Sequence, residues 1–360
     1  MKKTLVALAV LGSFAGVASA ATSVTLYGTL DAGYEGWNFG KDFSGVDSVF
    51  QQGGTPEKNS KIGVRGQEDL GNGLAAIFTL EGGIDADVGE TNAGQLFNRE
   101  STVGLKGSFG EVKIGRAKSQ MELALGGIVP GHRVADVDLY SVAATRHSNG
   151  LFYSYDNAGF SFGADVTTKG GADGNATEGA TGEKVAYGAR LGYTGQVGGN
   201  VTLLARAAYQ NDGTPVTVGT KTVKTQEWGG LLAAVVPFSN NSLTVGVAYA
   251  QGKGMASDLT DAKGLRVGRI PADKARTLSA VVAAGFGSND SAYLKYQQRK
   301  GSWNGTTTYN GNVWAAGYEH SLSKRTSVYA DVAYTTIKNL GAVGLKGTAT
   351  GYSVGVAHNF

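Results

Sequence analysis

From Val24 to Tyr34 the side chains alternate. Val24, Leu26, Leu30, Ala32 and Tyr34 fall on one parity, and Thr25, Thr29 and Asp31 on the other. Successive side chains of a strand point to opposite faces, so this alternation predicts an amphipathic strand. The same period returns along the chain. Leu74, Ala76, Phe78 and Leu80 alternate with Thr79 and Glu81; Leu294 and Tyr296 alternate with Lys295, Gln297 and Arg299; Val328, Ala330, Val332 and Tyr334 alternate with Asp331 and Thr335. No stretch shows a comparable helical period. Segmenting at turn signals predicts 16 strands, at 24–36, 59–68, 74–83, 99–107, 111–119, 149–156, 159–169, 184–194, 201–210, 226–236, 242–252, 274–286, 291–300, 311–320, 327–337 and 348–360. Each is near the ten or so residues that a tilted membrane-spanning strand needs.

The expected connections alternate in length. Short turns follow the even strands. Longer polar loops follow the odd ones, at 37–58, 84–98, 120–148, 170–183, 211–225, 253–273, 301–310 and 338–347. In an antiparallel meander this puts every long loop at one end, the arrangement of outer-membrane barrels. Pro56, Pro130, Pro215, Pro237 and Pro271 are all expected in loops or turns, because proline cannot donate to a strand ladder.

Composition adds the compartment. Lys2 and Lys3, an apolar stretch from Leu5 to Val17, and Ala18-Ser19-Ala20 make a secretory signal peptide over 1–20, leaving a barrel domain over 21–360. Losing the two lysines leaves 30 cationic residues against 29 acidic ones. That balance speaks against a nucleic-acid partner, which calls for a clustered basic surplus. There is no cysteine, so neither a disulfide nor a thiolate metal site is available. His132, His147, His320 and His358 lack metal-ligand spacing and no G-x-S-x-G elbow occurs, so no enzyme, cofactor or metal is expected. Alternation alone also fits a soluble sandwich with its polar face in water. Tyr34, Tyr193, Tyr209, Tyr249, Trp314, Tyr318, Tyr334 and Phe360 favour a membrane: they lie on apolar faces, mostly near strand ends, as in the aromatic girdles at bilayer interfaces.

The chain opens Val24-Thr25-Leu26-Tyr27-Gly28-Thr29-Leu30-Asp31-Ala32-Gly33 and ends Gly351-Tyr352-Ser353-Val354-Gly355-Val356-Ala357-His358-Asn359-Phe360. Between them, Asn98-Arg99-Glu100-Ser101-Thr102-Val103-Gly104-Leu105-Lys106-Gly107 leads into Phe109-Gly110-Glu111-Val112-Lys113-Ile114-Gly115-Arg116. These segments resemble general diffusion porins, most closely those of β-proteobacteria such as Neisseria, Bordetella and Burkholderia. The resemblance covers the mature chain. It implies an all-β, 16-stranded antiparallel transmembrane barrel whose third long loop folds into the lumen. It implies an outer-membrane homotrimer passing ions and small hydrophilic solutes, set in outer-membrane lipid and lipopolysaccharide. The terminal strand looks like the segment that the barrel-assembly machinery recognises.

By motif position the resemblance makes Lys61, Arg99, Arg116 and Arg146 the basic side of a constriction. It places Glu122, Arg133, Asp136 and Asp138 on the loop that faces them. Opposed charges across a narrow wet pore set up a transverse field and bias ions by sign. Arg116 stands on the apolar parity of its strand, which argues against it; Arg99 does too, but at a strand end where a bulge can turn it inward. A substrate-selective barrel and a secreted β-protein or adhesin without a pore are the competing readings.

Overall fold

A computed structural model describes residues 22–40, 49–53, 60–86, 88–91, 95–126, 134, 143–169, 184–256, 270–340 and 345–360. The signal segment lies outside the described residues. The strands are β1 (Ser23–Phe39), β2 (Val49–Gly53), β3 (Lys61–Gly71), β4 (Leu74–Asp85), β5 (Glu90–Thr91), β6 (Glu100–Gly107), β7 (Gly110–Lys118), β8 (Arg146–Asn157) and β9 (Phe160–Lys169). They continue as β10 (Val185–Val197), β11 (Val201–Val218), β12 (Lys221–Phe238), β13 (Asn241–Ala256), β14 (Ile270–Phe286), β15 (Asp290–Trp303), β16 (Thr306–Ser321), β17 (Thr326–Leu340) and β18 (Leu345–Asn359). One short helix, α1 (Gln120–Leu125), lies between β7 and β8.

Two strands do not cross the barrel. β2 carries on the pairing of β3 along β1, and β5 pairs only with the end of β4. The other 16 form an antiparallel meander, and β18 pairs back onto β1 from Thr29↔Asn359 to Phe39↔Ala349. These 16 close into a barrel, so each of them has two neighbours, as hydrocarbon surroundings require.

The faces are the reverse of a soluble protein's. Leu26, Leu191 and Val354 point outward and are 60%, 64% and 55% exposed, while Asp31, Lys295 and Asp331 point inward and are 2%, 4% and 5% exposed. Large apolar side chains outside and paired charges inside suit lipid around the barrel, not water. The inward charges are partnered. Tyr329 donates to Asp31 at 2.6 Å, Tyr293 donates to Asp331, and the Lys295 ammonium lies 5.5 Å from the Tyr293 ring centre.

The seam between β1 and β18 is tight. A Cβ at Gly33 would stand 2.2 Å from the Val354 carbonyl oxygen and 2.7 Å from the Gly355 Cα. Both are backbone atoms of the partner strand, so neither can rotate away. Gly33→Val is expected to lower sharply the yield of heat-resistant folded barrel on a cold electrophoretic gel, whereas Ala32→Val, on the outward parity, leaves it near the native level.

All 16 expected strands are present, but several run further than expected. The supposed polar loops 211–225 and 301–310 are largely hairpin arms. β11 reaches Val218 and β12 resumes at Lys221; β15 reaches Trp303 and β16 resumes at Thr306. The cause is local packing. Val216, Val223 and Trp303 bury one another, and Lys221 bonds Asp273, donates to Asn304 Oδ1 at 2.9 Å and sits 5.5 Å from the Trp303 ring centre. Asn304 and Gly305 turn at φ 50° and 79°, the paired positive values of a two-residue type I′ hairpin. The loop expected at 338–347 shrinks likewise, since β17 reaches Leu340 and β18 starts at Leu345. Three prolines therefore lie in strands rather than loops. Pro215 follows a register shift in β11, Pro237 is next to last in β12, and Pro271 is second in β14. Each sits where a bulge or strand end relaxes the demand for an N–H donor. Pro56 and Pro130 lie outside the described residues.

Candidate functional site

The four cations assigned to the basic side come together at the loop end of β3, β4 and β6–β8. Glu81 meets two of them. Its carboxylate accepts from Arg99 Nε at 2.7 Å and from the Tyr27 hydroxyl at 3.0 Å, and it lies 3.6 Å from the Lys61 ammonium. Arg116 donates to the Asn98 carbonyl at 2.6 Å and to Ser148 Oγ at 2.6 Å. Arg146 donates to the Arg99 carbonyl at 2.9 Å. Two arginines thus grip the backbone of the segment that presents a third.

Arg116 is redirected by backbone geometry. The pairing of β7 with β8 shifts register between Gly115 and Ala117, and Gly115 has φ 133°. A bulge of this kind changes which face the following side chains take. The positive φ favours glycine, and a Cβ there would also meet the Ser101 carbonyl oxygen at 2.0 Å.

Glu122 lies on α1, a helix that period-based reading of the sequence misses because it has only six residues. Ser119 caps it by accepting from the Glu122 N–H at 3.3 Å. Glu122 pairs with Lys118 at 3.0 Å, one helical turn back along the chain. Lys118 was not among the expected site residues, yet it lies within electrostatic range of Lys61. Below this level Lys113 bridges Glu100 at 3.0 Å and Glu111 at 3.2 Å. Arg133, Asp136 and Asp138 lie outside the described residues.

α1 packs on the inward face of the wall. Met121, Ala124 and Leu125 are buried with Ala208, Leu231, Ala248 and Ala250 of β11–β13. Val134 is buried against a separate apolar cluster that includes Trp37, Tyr309 and Ile337 of β1, β16 and β17. The far end of the same connection is fixed by a buried polar network. His147 Nδ1 is 2.5 Å from Asp165 Oδ2, and Nε2 is 3.2 Å from Asp212 Oδ1. With a carboxylate at each nitrogen, both contacts are hydrogen bonds only when the ring donates twice, as the imidazolium. The other Asp212 oxygen accepts from the Ala144 N–H at 2.8 Å. Gln210 donates to the Ala144 carbonyl at 2.8 Å and accepts from the Met121 N–H at 3.2 Å. Glu227 accepts from the Ala143 N–H at 2.8 Å. Sequence gave little sign of this network: one histidine near a strand start and carboxylates more than fifteen residues away.

The eight aromatic residues expected at interfaces all belong to the outward face. Tyr34, Tyr209, Trp314, Tyr318, Tyr334 and Phe360 are exposed, and Tyr193 and Tyr249 are half-buried against Phe160 and Trp228, with ring centres 4.8 Å and 5.6 Å apart. Tyr193, Tyr318 and Phe360 lie toward the short-turn end, and the others toward the loop end or middle.

A closed barrel with an apolar exterior, charged inner wall and loop segments held against that wall defines an outer-membrane channel protein. The chain belongs to the Gram-negative porin family, whose sequence model matches residues 7–340. It is 31% identical over the full length of both chains to outer membrane porin protein 32 of Delftia acidovorans. Among solved structures, the anion-selective porin from Comamonas acidovorans superposes with a TM-score of 0.64 at 27% identity, covering 94% of this chain and 100% of that one. The fold is also that of the outer membrane protein OmpT of Vibrio cholerae in its trimer form, with a TM-score of 0.61 at 15% identity over 94% of this chain and 100% of that one. The protein is an outer-membrane porin, a water-filled channel for passive diffusion of ions and small hydrophilic solutes.

Proposed function

We propose that this porin selects solutes at a constriction between the cationic cluster on β3–β8 and the third long loop folded into the lumen, and that it favours anions. One observation carries this reading. Among the described residues, Lys61 and Arg99 meet Glu81 and Lys118 meets Glu122, while Arg116 and Arg146 are held beside them by bonds to the Asn98 and Arg99 carbonyls. A local surplus of fixed cations in a narrow wet passage raises the anion concentration there. The guanidinium groups keep their charge at any working pH, so the field is permanent. The burial of α1 and Val134 against inward side chains supports a loop that narrows the lumen. The related anion-selective porin and the trimer form of OmpT support the ion preference and a homotrimer. The eight outward aromatics would ring the bilayer interfaces, residues 1–20 would direct export, and the terminal strand ending at Phe360 would be read by the assembly machinery.

The test is the reversal potential across a planar bilayer under a potassium chloride gradient. Native protein should give a potential of the sign for chloride preference. Lys61→Glu combined with Lys118→Glu should move it toward potassium, because both ammonium groups are partly exposed to the lumen. Potassium preference in the native channel would overturn the assignment.

A further inference from the structure

We propose that the inward notch over Gly192, between Ser161, Arg190 and Arg206 on β9–β11, is a second binding site of this channel, and that it takes a small oxyanion. The site lies apart from the cationic cluster on β3–β8. Strand alternation turns all four residues to the lumen. Phe160, Phe162, Leu191 and Tyr209 are exposed on the outward parity of the same strands, and the residues between them point inward. α1 is buried against Ala208, the next inward position of β11 on the loop side of Arg206. The notch is therefore on the short-turn side of α1.

The strand registers assemble it. Ser161 pairs with Gly192, and Gly192 with Arg206, so the three form one row across the wall. Arg190 is the next inward residue of β10 and pairs with Gly163 and Ala208. Its Cα is about 7–8 Å from that of Arg206, the diagonal spacing between neighbouring strands. Ser161, Arg190, Gly192 and Arg206 are all half-buried.

The wall leaves room for an occupant. A Cβ at Gly192 would stand 2.4 Å from Ser161 Oγ and 3.5 Å from Arg206 Cγ, so the missing side chain leaves a depression flanked by those two. Arg190 closes the third side and donates from Nη1 to Ser161 Oγ at 3.3 Å. That bond uses an oxygen lone pair and leaves the hydroxyl proton to donate elsewhere. Arg190 is itself held against the wall at Gly163, where a Cβ would stand 2.7 Å from its Nε and 3.1 Å from its Cγ. Two guanidinium groups and a hydroxyl thus converge as donors on one small space. Asp156, opposite Ser161, attracts Arg190 and Arg206 repels it, so these three charges sum to a net positive one.

A guanidinium fork matches two oxygens on one centre, the geometry of carboxylate, sulfate and phosphate. A halide offers a single atom and gains less from forked donors. The notch therefore discriminates among anions, which a surplus of charge at the constriction does not do. A stop of this kind beyond the loop makes oxyanion passage saturable.

The test is single-channel conductance in sulfate and in chloride at rising salt activity. N-methylglucamine serves as the slow counter-ion, so that anions carry the current, and only variants that give the heat-resistant folded band are compared. In native protein sulfate conductance should saturate while chloride conductance keeps rising in proportion. Arg190→Gln with Arg206→Gln should raise the half-saturating sulfate activity about tenfold, the worth of one charge-assisted hydrogen bond. Gly192→Ala should raise it too with both charges in place, because the methyl group fills the notch while the Ser161 hydroxyl can rotate aside. Arg65→Gln removes an inward cation of β3 outside the notch and should leave half-saturation at the native value. Sulfate conductance that stays proportional in native protein, or native half-saturation in either notch variant, would overturn the site. The proposal rests on the channel and not on the constriction reading, whose failure shows instead in the potassium chloride reversal potential.

Discussion

Replacing His147 with leucine is expected to destabilise the barrel by about 3–5 kcal/mol, the usual cost of removing one partner from a buried charged set. The reason is the state of what remains. His147 is fully buried, and Asp165 Oδ1 already has no hydrogen-bond partner. Without the imidazolium, Asp165 Oδ2 loses its 2.5 Å contact and Asp212 loses one of its donors. Asp212 still has Gln210 and the Ala144 N–H, so the heavier penalty falls on Asp165. The urea midpoint for loss of the folded band on a cold gel should drop accordingly. Adding Asp165→Asn to His147→Leu should recover part of the loss, because it removes the stranded charge. Single-channel records of His147→Leu should become noisier, since the same network holds Ala143 and Ala144 to β11 and β12. An unfolding free energy within about 0.5 kcal/mol of the native one would show that the network is not holding the loop.

Arg99→Ala is expected to cost about 3 kcal/mol, the lower end of the same range, because Glu81 keeps Tyr27 and Lys61. The Arg99 and Glu81 side chains are only 8% and 13% exposed, so water screens the pair weakly. The effect should extend beyond stability. Arg146 bonds the backbone carbonyl of Arg99 and Arg116 that of Asn98, so a loosened segment weakens one of the bonds that orient each guanidinium. A double-mutant cycle of Arg99→Gln with Glu81→Gln separates the two contributions. A coupling energy above about 1 kcal/mol is expected for groups in direct contact. Additive losses would mean that Arg99 acts through packing alone.

The fold was legible because the period of two is unambiguous over long stretches, and lipid demands it on every strand. Strand ends were harder to place. The segment Asn211–Thr217 looks like a polar loop, and its pairing with β12 is held by the burial of Val216 and Val223 with Trp303 and by the contacts of Lys221, none of which a local pattern shows. Likewise α1 is too short for a 3.6-residue period and exists through its Ser119 cap and the burial of Met121 and Leu125. The gathering of Lys61, Arg99, Arg116 and Arg146 was suggested by family resemblance, while their parity argued against two of them. Gly115 resolves the conflict for Arg116, since a bulge there interrupts the alternation on which parity depends. The partners Glu81 and Lys118, and the His147 network, depend on registers between distant strands that no local pattern encodes.

The seam has a kinetic consequence. Thr29 Oγ1 meets Asn359 Oδ1 across a separation of 330 residues. Closing a flexible loop of that length directly costs on the order of 5 kcal/mol in chain entropy. Sequential hairpins avoid that cost, since the tight turns let the meander grow strand by strand and curve its ends together. The order of events is then set: β1 and β18 join last, after fourteen neighbours are in place. Until that moment the nascent sheet has two unpaired rims, the features that recruit other chains and start aggregates. The period of greatest danger for this molecule is therefore the interval just before completion, when nearly all of its structure is already formed.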